Sequence, residues 1–354
     1  MSWFSSLSLR ARTLVVGSTV SVVLIGVGAS VPIPYVALGP GVTYNTLGSA
    51  DGTPVISFAG NHPASVRQSD GTGHLNMTTV SVYDDMPLFE ALGMWATGNY
   101  ALVPRAEVYP PDKTVEQVNQ QNTQDFQDSQ SAAEIAALRY LKYPNVVYVG
   151  TIAQGSPSYR VLQPQDQITA IDGKAVSDFA SLQAALKSTL PRQKVSVTVL
   201  RVDKSVTVKV TLQANASVGK QGFLGIGAVE RPKAPFTVSI SLANIGGPSA
   251  GLMFTLGILD KLTPGGLTKG RYIAGTGTME VDDTKGTVGP IGGILLKMIA
   301  AKGAGASVFL VPADNCAEAL TRVPTGLELA KVSTLDNAVS ALKILAAGGT
   351  PPSC

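Results

Sequence analysis

Residues 235–260 read PFTVSISLANIGGPSAGLMFTLGILD. The run from Pro235 to Asn244 is apolar and β-prone and predicts a buried strand, while the stretch from Ser249 to Leu259 carries no charge and predicts a buried helix. Between them, Gly247-Pro248-Ser249-Ala250-Gly251 sets a serine on a strand-to-helix turn flanked by small residues. Such a turn exposes the hydroxyl beside the unpaired N–H groups and the positive dipole end of the helix, an arrangement that stabilises an oxyanion by about 3 to 4 kcal/mol. Further helices around Leu295–Lys302 and Asn337–Ala346, with a strand at Ser307–Val311 between them, complete an α/β pattern in this half of the chain.

A nucleophilic serine needs a base. The pentapeptide also fits the Gly-x-Ser-x-Gly elbow of α/β-hydrolases, which makes an esterase-type hydrolase the competing enzyme reading. That fold places its histidine after the serine, whereas the only histidines here, His62 and His74, both precede Ser249. A histidine-first order belongs to a β-barrel context that this half does not offer. Lys297, in GGILLKMIAA, has Gly293, Ile294, Ala300 and Ala301 as its helical neighbours, so its amine projects from an apolar face. Desolvation there lowers the lysine pKa and leaves a neutral amine able to take a hydroxyl proton near pH 7. Lys302, rotated by roughly 140° on the same helix, points to solvent. A lone lysine on such a helix ordinarily snorkels, and it is Ser249 that makes Lys297 a candidate base.

The remainder of the chain bounds the setting. At 354 residues, 45% hydrophobic and 14% charged, there is material for two or three packed units. The net charge of +3 contains no basic run, so a nucleic-acid partner is not expected. Thr13–Val31 is uncharged and apolar, spanning roughly 28 Å as a helix before Pro32 and Pro34 stop it. Arg10 and Arg12 precede it and the next basic residue is Arg67, which predicts a cytoplasmic N-terminus and extracytoplasmic domains. The short basic start and the small residues Ala29 and Ser30 also fit a cleaved signal peptide. In an oxidising compartment Cys316 and Cys354 could pair, and two free thiols are the alternative.

Between these ends, Tyr35–Gly48 predicts short strands broken by Gly-Pro-Gly, and His74–Tyr83 another strand. Ala132, Ile135, Ala136 and Leu138 sit at helical spacing in Asp128–Tyr143, with Ser129 available as the N-cap after a polar tract at Asn119–Thr123. After Pro144 come short strands, VVYVGTIA, DQITAID, SVTVLR and SVTVKVTL, with one helix around Phe179–Leu186, and then a Gly-rich linker from Ala214 to Gly227.

Two resemblances follow from these residues. Gly155-Ser156-Pro157, Asp166-Gln167-Ile168 and Ile171-Asp172-Gly173-Lys174-Ala175-Val176 resemble the PDZ domains of bacterial envelope proteases, with Gln165 where that family usually has Gly. The resemblance implies capture of an extended peptide by strand addition, and a structural insert that binds nothing is the alternative. Pro248-Ser249-Ala250-Gly251, Thr276-Gly277, Gly286, Pro290-Ile291-Gly292-Gly293 and Lys297, followed by Ala300-Ala301, Gly305 and Val311–Asn315, are similar to the signature of the Lon-type serine proteases. That similarity implies Ser249 as nucleophile, Lys297 as general base and Thr276 as the hydroxyl that orients the amine. Two acidic positions of that family are Gly246 and Thr278 here, which puts acid-assisted tuning of the site in doubt.

Asp125–Leu141 is similar to the first helix of a Lon proteolytic domain, and with Val108–Pro111 and Tyr35–Gly48 the chain resembles the PDZ-containing, Lon-like membrane proteases of bacteria. The expected fold is therefore an α/β (α+β) Lon-type proteolytic domain with an inserted β-rich PDZ domain and one N-terminal transmembrane helix. Its expected parts are a cytoplasmic N-terminus at 1–12, an anchor at 13–34, a β-rich entry with the first part of the proteolytic domain at 35–143, a PDZ domain at 144–213 and the main proteolytic domain at 214–354. No Gly-x4-Gly-Lys-Ser/Thr occurs, so ATP-independent cleavage of unfolded or flexible proteins and peptides is expected, with no cofactor and no metal. The resemblance implies a ring-like homo-oligomer, and a non-catalytic PDZ scaffold of the cell envelope is the alternative function.

Overall fold

The computed structural model describes residues 8–63, 66, 73–202, 204–215, 217, 219–243, 245–281 and 285–354. Arg67 and Asn244, used above, lie outside them.

In chain order, helix α1 covers Leu9–Ser30, four residues earlier than the uncharged run alone predicts, because the Ser8 hydroxyl accepts from the Ala11 N–H and caps it ahead of Arg10 and Arg12. Strand β1, Tyr35–Asn45, is continuous and not broken at Gly-Pro-Gly: a register shift between Pro40 and Thr43 absorbs the proline, which has no N–H for the ladder. After β2, Ile56–Gly60, strand β3 runs His74–Tyr83 as predicted. Helix α2, Leu88–Ala96, and strand β4, Ala101–Pro104, were not foreseen.

Helix α3 runs Val115–Tyr140, far longer than the apolar spacing indicates. Thr114 and Gln117 form a capping box, each side chain meeting the other's backbone N–H, and Gln121 and Gln124 bond the carboxylates of Asp125 and Asp128 one turn on. The polar tract is thus helical by its own side-chain bonds, and Ser129 lies inside the helix, not at its cap.

The chain continues through β5, Asn145–Ile152; β6, Gln167–Ile171; α4, Phe179–Lys187; β7, Lys194–Arg201; and β8, Lys204–Thr211. Strand β9, Ile226–Pro232, occupies the end of the expected linker and beyond. Strand β10 is shorter than predicted, Phe236–Ile240, and only Phe236 is buried. Its other side chains do not enter a core, so the apolar composition misled. There follow α5, Gly251–Leu262; β11, Tyr272–Gly275; α6, Ile294–Gly303; β12, Val308–Pro312; β13, Glu328–Val332; and α7, Leu335–Ala346.

The chain divides into two compact units, residues 1–57, 63–134 and 238–354, and residues 58–62 and 135–237. In the first, a six-stranded sheet has the order β13-β12-β11-β3-β1-β4, parallel from β13 to β3 and antiparallel beyond. All five residues of β12 and all twelve of α5 are buried, which explains why both read as uninterrupted apolar runs. The charges at the end of α5 are satisfied inside: Asp260 accepts from the N–H groups of Leu267 and Thr268, and Lys261 donates to the Ile56 carbonyl. A Cys316–Cys354 disulfide ties the C-terminus to this unit.

The second unit is a sheet of order β8-β7-β6-β5-β9 covered by α4, with Val147, Val149, Ile168, Val195, Val197 and Val199 at its core. It extends past 144–213 because β9 pairs with β5 and completes the sheet. Asp166 is 1% exposed and accepts two bonds from Arg201, at 2.8 and 2.6 Å. Burial by itself raises this carboxyl, but Arg201 and the Gln163 N–H outweigh it and hold it below the usual carboxylate range. Asp166→Asn removes the charge while Arg201 remains, and is expected to destabilise this unit by about 2–4 kcal/mol. Hydrogen exchange at β6 and β7 measures the loss, with protection in α5 unchanged.

Candidate active site

Three elements converge on Ser249. The loop Gly246–Ala250 leads into α5, and it is held from below by α3. The Gly247 N–H donates to the Asn122 carbonyl at 2.8 Å and the Ser129 hydroxyl donates to the Pro248 carbonyl at 2.9 Å. From the sheet side, the N–H of Gly277 and the hydroxyl of Thr276 both donate to the Ser249 carbonyl, each at 2.9 Å. The serine's backbone is therefore fixed at both ends. Among the described residues the N–H groups of Ser249 and Ala250 donate to no internal acceptor, and they lie at the N-terminal end of a buried twelve-residue helix.

The amine comes from α6. Lys297 Nζ lies 2.7 Å from Ser249 Oγ and 3.1 Å from Thr276 Oγ1. Since the Thr276 hydroxyl spends its proton on the Ser249 carbonyl, it presents lone pairs to the amine and so directs the nitrogen's remaining capacity toward Ser249. Lys297 is 3% exposed, and burial lowers its pKa from the usual 10.5 to about 7. Among the described residues no carboxylate lines the cleft around Ser249, so nothing there counteracts the desolvation of the amine. Lys302, by contrast, is half-buried and donates to the Gly326 carbonyl.

All three residues singled out in the sequence are thus brought together, and neither histidine lines the cleft. The cleft is about 630 Å³, walled by Met77 and Thr78–Tyr83 of β3, by Phe126 of α3 and by the Ile245–Ala250 loop. Pairing of β3 with β11 stops at Met77, which leaves the edge of residues 78–83 facing the cleft without a strand partner among the described residues. The roles of Asn122 and Ser129 were not legible beforehand, because nothing local links a polar stretch of helix to a loop more than a hundred residues away.

The second unit holds another place built for recognition, also missed. Strand β9 is a sheet edge, and the Glu230 carboxylate on it accepts from the Phe179 N–H at the start of α4. Where β9 begins, the N–H groups of Leu224 and Gly225 donate to no acceptor among the described residues. Gly225 has φ +77°, and a Cβ there would meet Ser156 Cβ at 2.5 Å, so this turn requires glycine. The short apolar run Phe223-Leu224-Gly225-Ile226 was the available signal, hidden by the glycines in and around it.

The fold and the site together define a mixed α/β domain with a serine–lysine pair, accompanied by a separate β-rich module. Residues 243–344 match the Lon protease (S16) C-terminal proteolytic domain, and residues 117–212 match the PDZ domain family. The chain carries a Lon-type proteolytic domain and a PDZ domain. Ser249, Thr276 and Lys297 all fall within the first match, while the second ends before β9. The chain is 38% identical over 94 residues to a Lon protease of Azospirillum brasilense, a stretch covering 26% of this chain and 11% of that relative. Among solved structures it is similar to the PDZ domain of an SdrC-like protein from Listeria monocytogenes, at 29% identity over 23% of this chain and 86% of that one, TM-score 0.22. It is also similar to the PDZ domain of an SdrC-like protein from Listeria innocua, at 21% identity over 25% and 97%, TM-score 0.22.

A buried lysine with a lowered pKa carries a stability signature. Unfolding restores the usual 10.5, so the unfolded chain binds the extra proton between about 7 and 10.5. Stability therefore rises with pH through that window, and the full cost of the buried cation is present below it. Lys297→Met is expected to remove this slope and, even after losing the contacts to two hydroxyls, to be more stable than the parent by roughly 2–4 kcal/mol near pH 7. Urea unfolding at a series of pH values checks both expectations.

Proposed function

We propose that this protein is a membrane-anchored serine endopeptidase that cleaves unfolded or flexible extracytoplasmic chains without ATP, through Ser249 and Lys297. The observation that carries the reading is the 2.7 Å approach of a 3% exposed lysine amine to Ser249 Oγ, with a pKa of about 7. In the proposed cycle the neutral amine takes the Ser249 proton as Oγ bonds to the peptide carbonyl carbon. The oxyanion that forms accepts from the Ser249 and Ala250 N–H groups. The Lys297 ammonium then gives its proton to the leaving amine as the C–N bond breaks, and water hydrolyses the acyl-enzyme with Lys297 again as base. Thr276 orients the amine throughout. The unpaired edge of β3 suits an extended substrate, which supports unfolded segments as the substrate class.

Helix α1 is long and apolar enough to cross a membrane, and Arg10 and Arg12 at its start favour a cytoplasmic N-terminus. The Cys316–Cys354 disulfide accords with an oxidising compartment for the domains that follow. In the PDZ domain, the N–H groups of Leu224 and Gly225 suit a peptide's terminal carboxylate, with the peptide added as a strand along β9.

The test of the chemistry is cleavage of casein by the full chain in detergent without ATP. Ser249→Ala and Lys297→Met are each expected to lose activity by about a thousandfold or more. In the parent, kcat/KM is expected to rise with pH up to about 7 and level off above it, because only the neutral amine can act. Mutants that cleave as well as the parent would sink the dyad and favour the scaffold. For the PDZ groove, a peptide with a free C-terminus is expected to bind at least about tenfold more tightly than its amide, and Gly225→Val to abolish the difference while casein cleavage persists. Titration calorimetry reads this directly; equal affinity for acid and amide would refute the carboxylate site.

A further inference from the structure

Helix α2 has an apolar face that the protein itself leaves open. Leu88, Phe89, Leu92 and Trp95 are 41, 47, 45 and 62% exposed. At helical spacing these four and Ala96 fall within about 120° of one another, while the buried Ala91 and half-buried Met94 lie on a second side and Glu90 on a third. The opening is not a packing accident at the helix ends, since it runs the length of the element. A contiguous face of this kind on a soluble domain marks a surface with a partner.

The position of α2 identifies that partner. Its first turn is fixed to the last turn of α1: Phe89 packs against Gly28, the buried residue of α1, where even a Cβ would meet the ring at 2.8 Å. Pro32 bridges to Pro87, and the Ile33 N–H donates to the Met86 carbonyl at 3.1 Å. As a helix of 22 residues, α1 spans roughly 33 Å, about the thickness of a bilayer's hydrocarbon core, so Gly28 and Ser30 come at the level of the headgroups. Just beyond its far end, the Arg322 guanidinium donates to the Gly98 carbonyl and ties that end of α2 to the segment carrying Leu320 and Val323. Leu320 and Val323, beside that arginine, are themselves 55 and 40% exposed. The apolar surface of the span therefore continues without a break onto α2. No basic residue lies on α2, and Asp84, Asp85 and Glu90 are nearby, so apolar insertion and not attraction to anionic lipid is the driving term.

We propose that α2 is an interfacial helix, lying in the outer boundary of the bilayer with Leu88, Phe89, Leu92 and Trp95 in the lipid, and that it fixes the proteolytic domain against the membrane surface. This rests on the reading of α1 as a span, and the experiment separates the two.

The chain has two tryptophans, Trp3 and Trp95, so Trp3→Phe leaves Trp95 as sole reporter. The full chain with this change is reconstituted in neutral phosphatidylcholine vesicles, and retention after alkaline carbonate washing is recorded first. A nitroxide placed just below the lipid headgroup is expected to quench about half of the Trp95 emission, one near the chain end to quench far less, and aqueous iodide to have little effect. Leu92→Glu in the same background is expected to cut the nitroxide quenching and restore access to iodide. A retained chain whose Trp95 is quenched by iodide and not by nitroxide overturns the interfacial helix and leaves the span standing. Protection from both quenchers that fades on dilution in lipid assigns the face to a second copy and also overturns it. A chain washed off by carbonate removes the span, and the proposal with it, while leaving the casein result untouched.

Discussion

The burial of one amine organises the proteolytic domain. A lysine 3% exposed on an apolar helix is costly unless it is neutral for much of the time, and neutrality requires that no carboxylate stand beside it. The surroundings meet that condition with hydroxyls. Ser249 and Thr276 give Lys297 two neutral partners, and neither restores its charge. The same hydroxyl of Thr276 closes on the Ser249 carbonyl, so the group that receives the amine also fixes the backbone carrying its other partner. Among the described residues no carboxylate lines the cleft, so nothing there pulls the amine back toward the cation.

That arrangement depends on long-range construction. Lys297 is carried by α6, Thr276 by the end of β11 and Ser249 by the entry to α5, and the loop before Ser249 is braced by α3 through Asn122 and Ser129. The Asn122 backbone carbonyl accepts from the Gly247 N–H, and the loop comes so close to α3 that Gly246 has no room for a Cβ, which would meet Asn122 at 2.7 Å.

These facts also explain what could be read from the sequence. The Lon-type half was legible almost residue by residue, since buried parallel strands and an all-buried helix leave uninterrupted apolar runs, and the glycines of the signature punctuate them. Ser249 and Lys297 are legible from the strand-to-helix turn and the apolar helix face, and Thr276 only from the order of the Lon-type signature. What failed was whatever depended on side-chain bonds or on partners distant in sequence. The first half of α3 is held by a capping box and glutamine–aspartate pairs, which a hydrophobic pattern does not see. Only the first two residues of β9 lie in the expected linker, and the rest carries no alternating pattern to read as a strand; β10 reads as core because an apolar strand on a two-stranded ladder has the same composition as a buried one. Helix α2 was missed because its apolar residues surround it on more sides than one core requires.

The N–H pairs of Ser249–Ala250 and Leu224–Gly225, without acceptors among the described residues, share a construction and differ in chemistry. Each begins two residues after a glycine and lies where the chain enters a regular element, Ser249 and Ala250 before α5, Leu224 and Gly225 before β9. In both, the local turn points consecutive donors outward, a geometry that suits negative charge. At α5 a hydroxyl and a buried amine stand beside the donors, so charge that develops there during bond formation has both a source and a proton acceptor. At β9 the neighbours are a sheet edge, the start of α4 and Ser156, and among the described residues this unit has no buried lysine to serve as a base, so the same donors suit an anion that arrives already formed. On the proposed reading, the difference between catalysis at the first pair and capture at the second is set by α6, which delivers Lys297 to the first pair of donors.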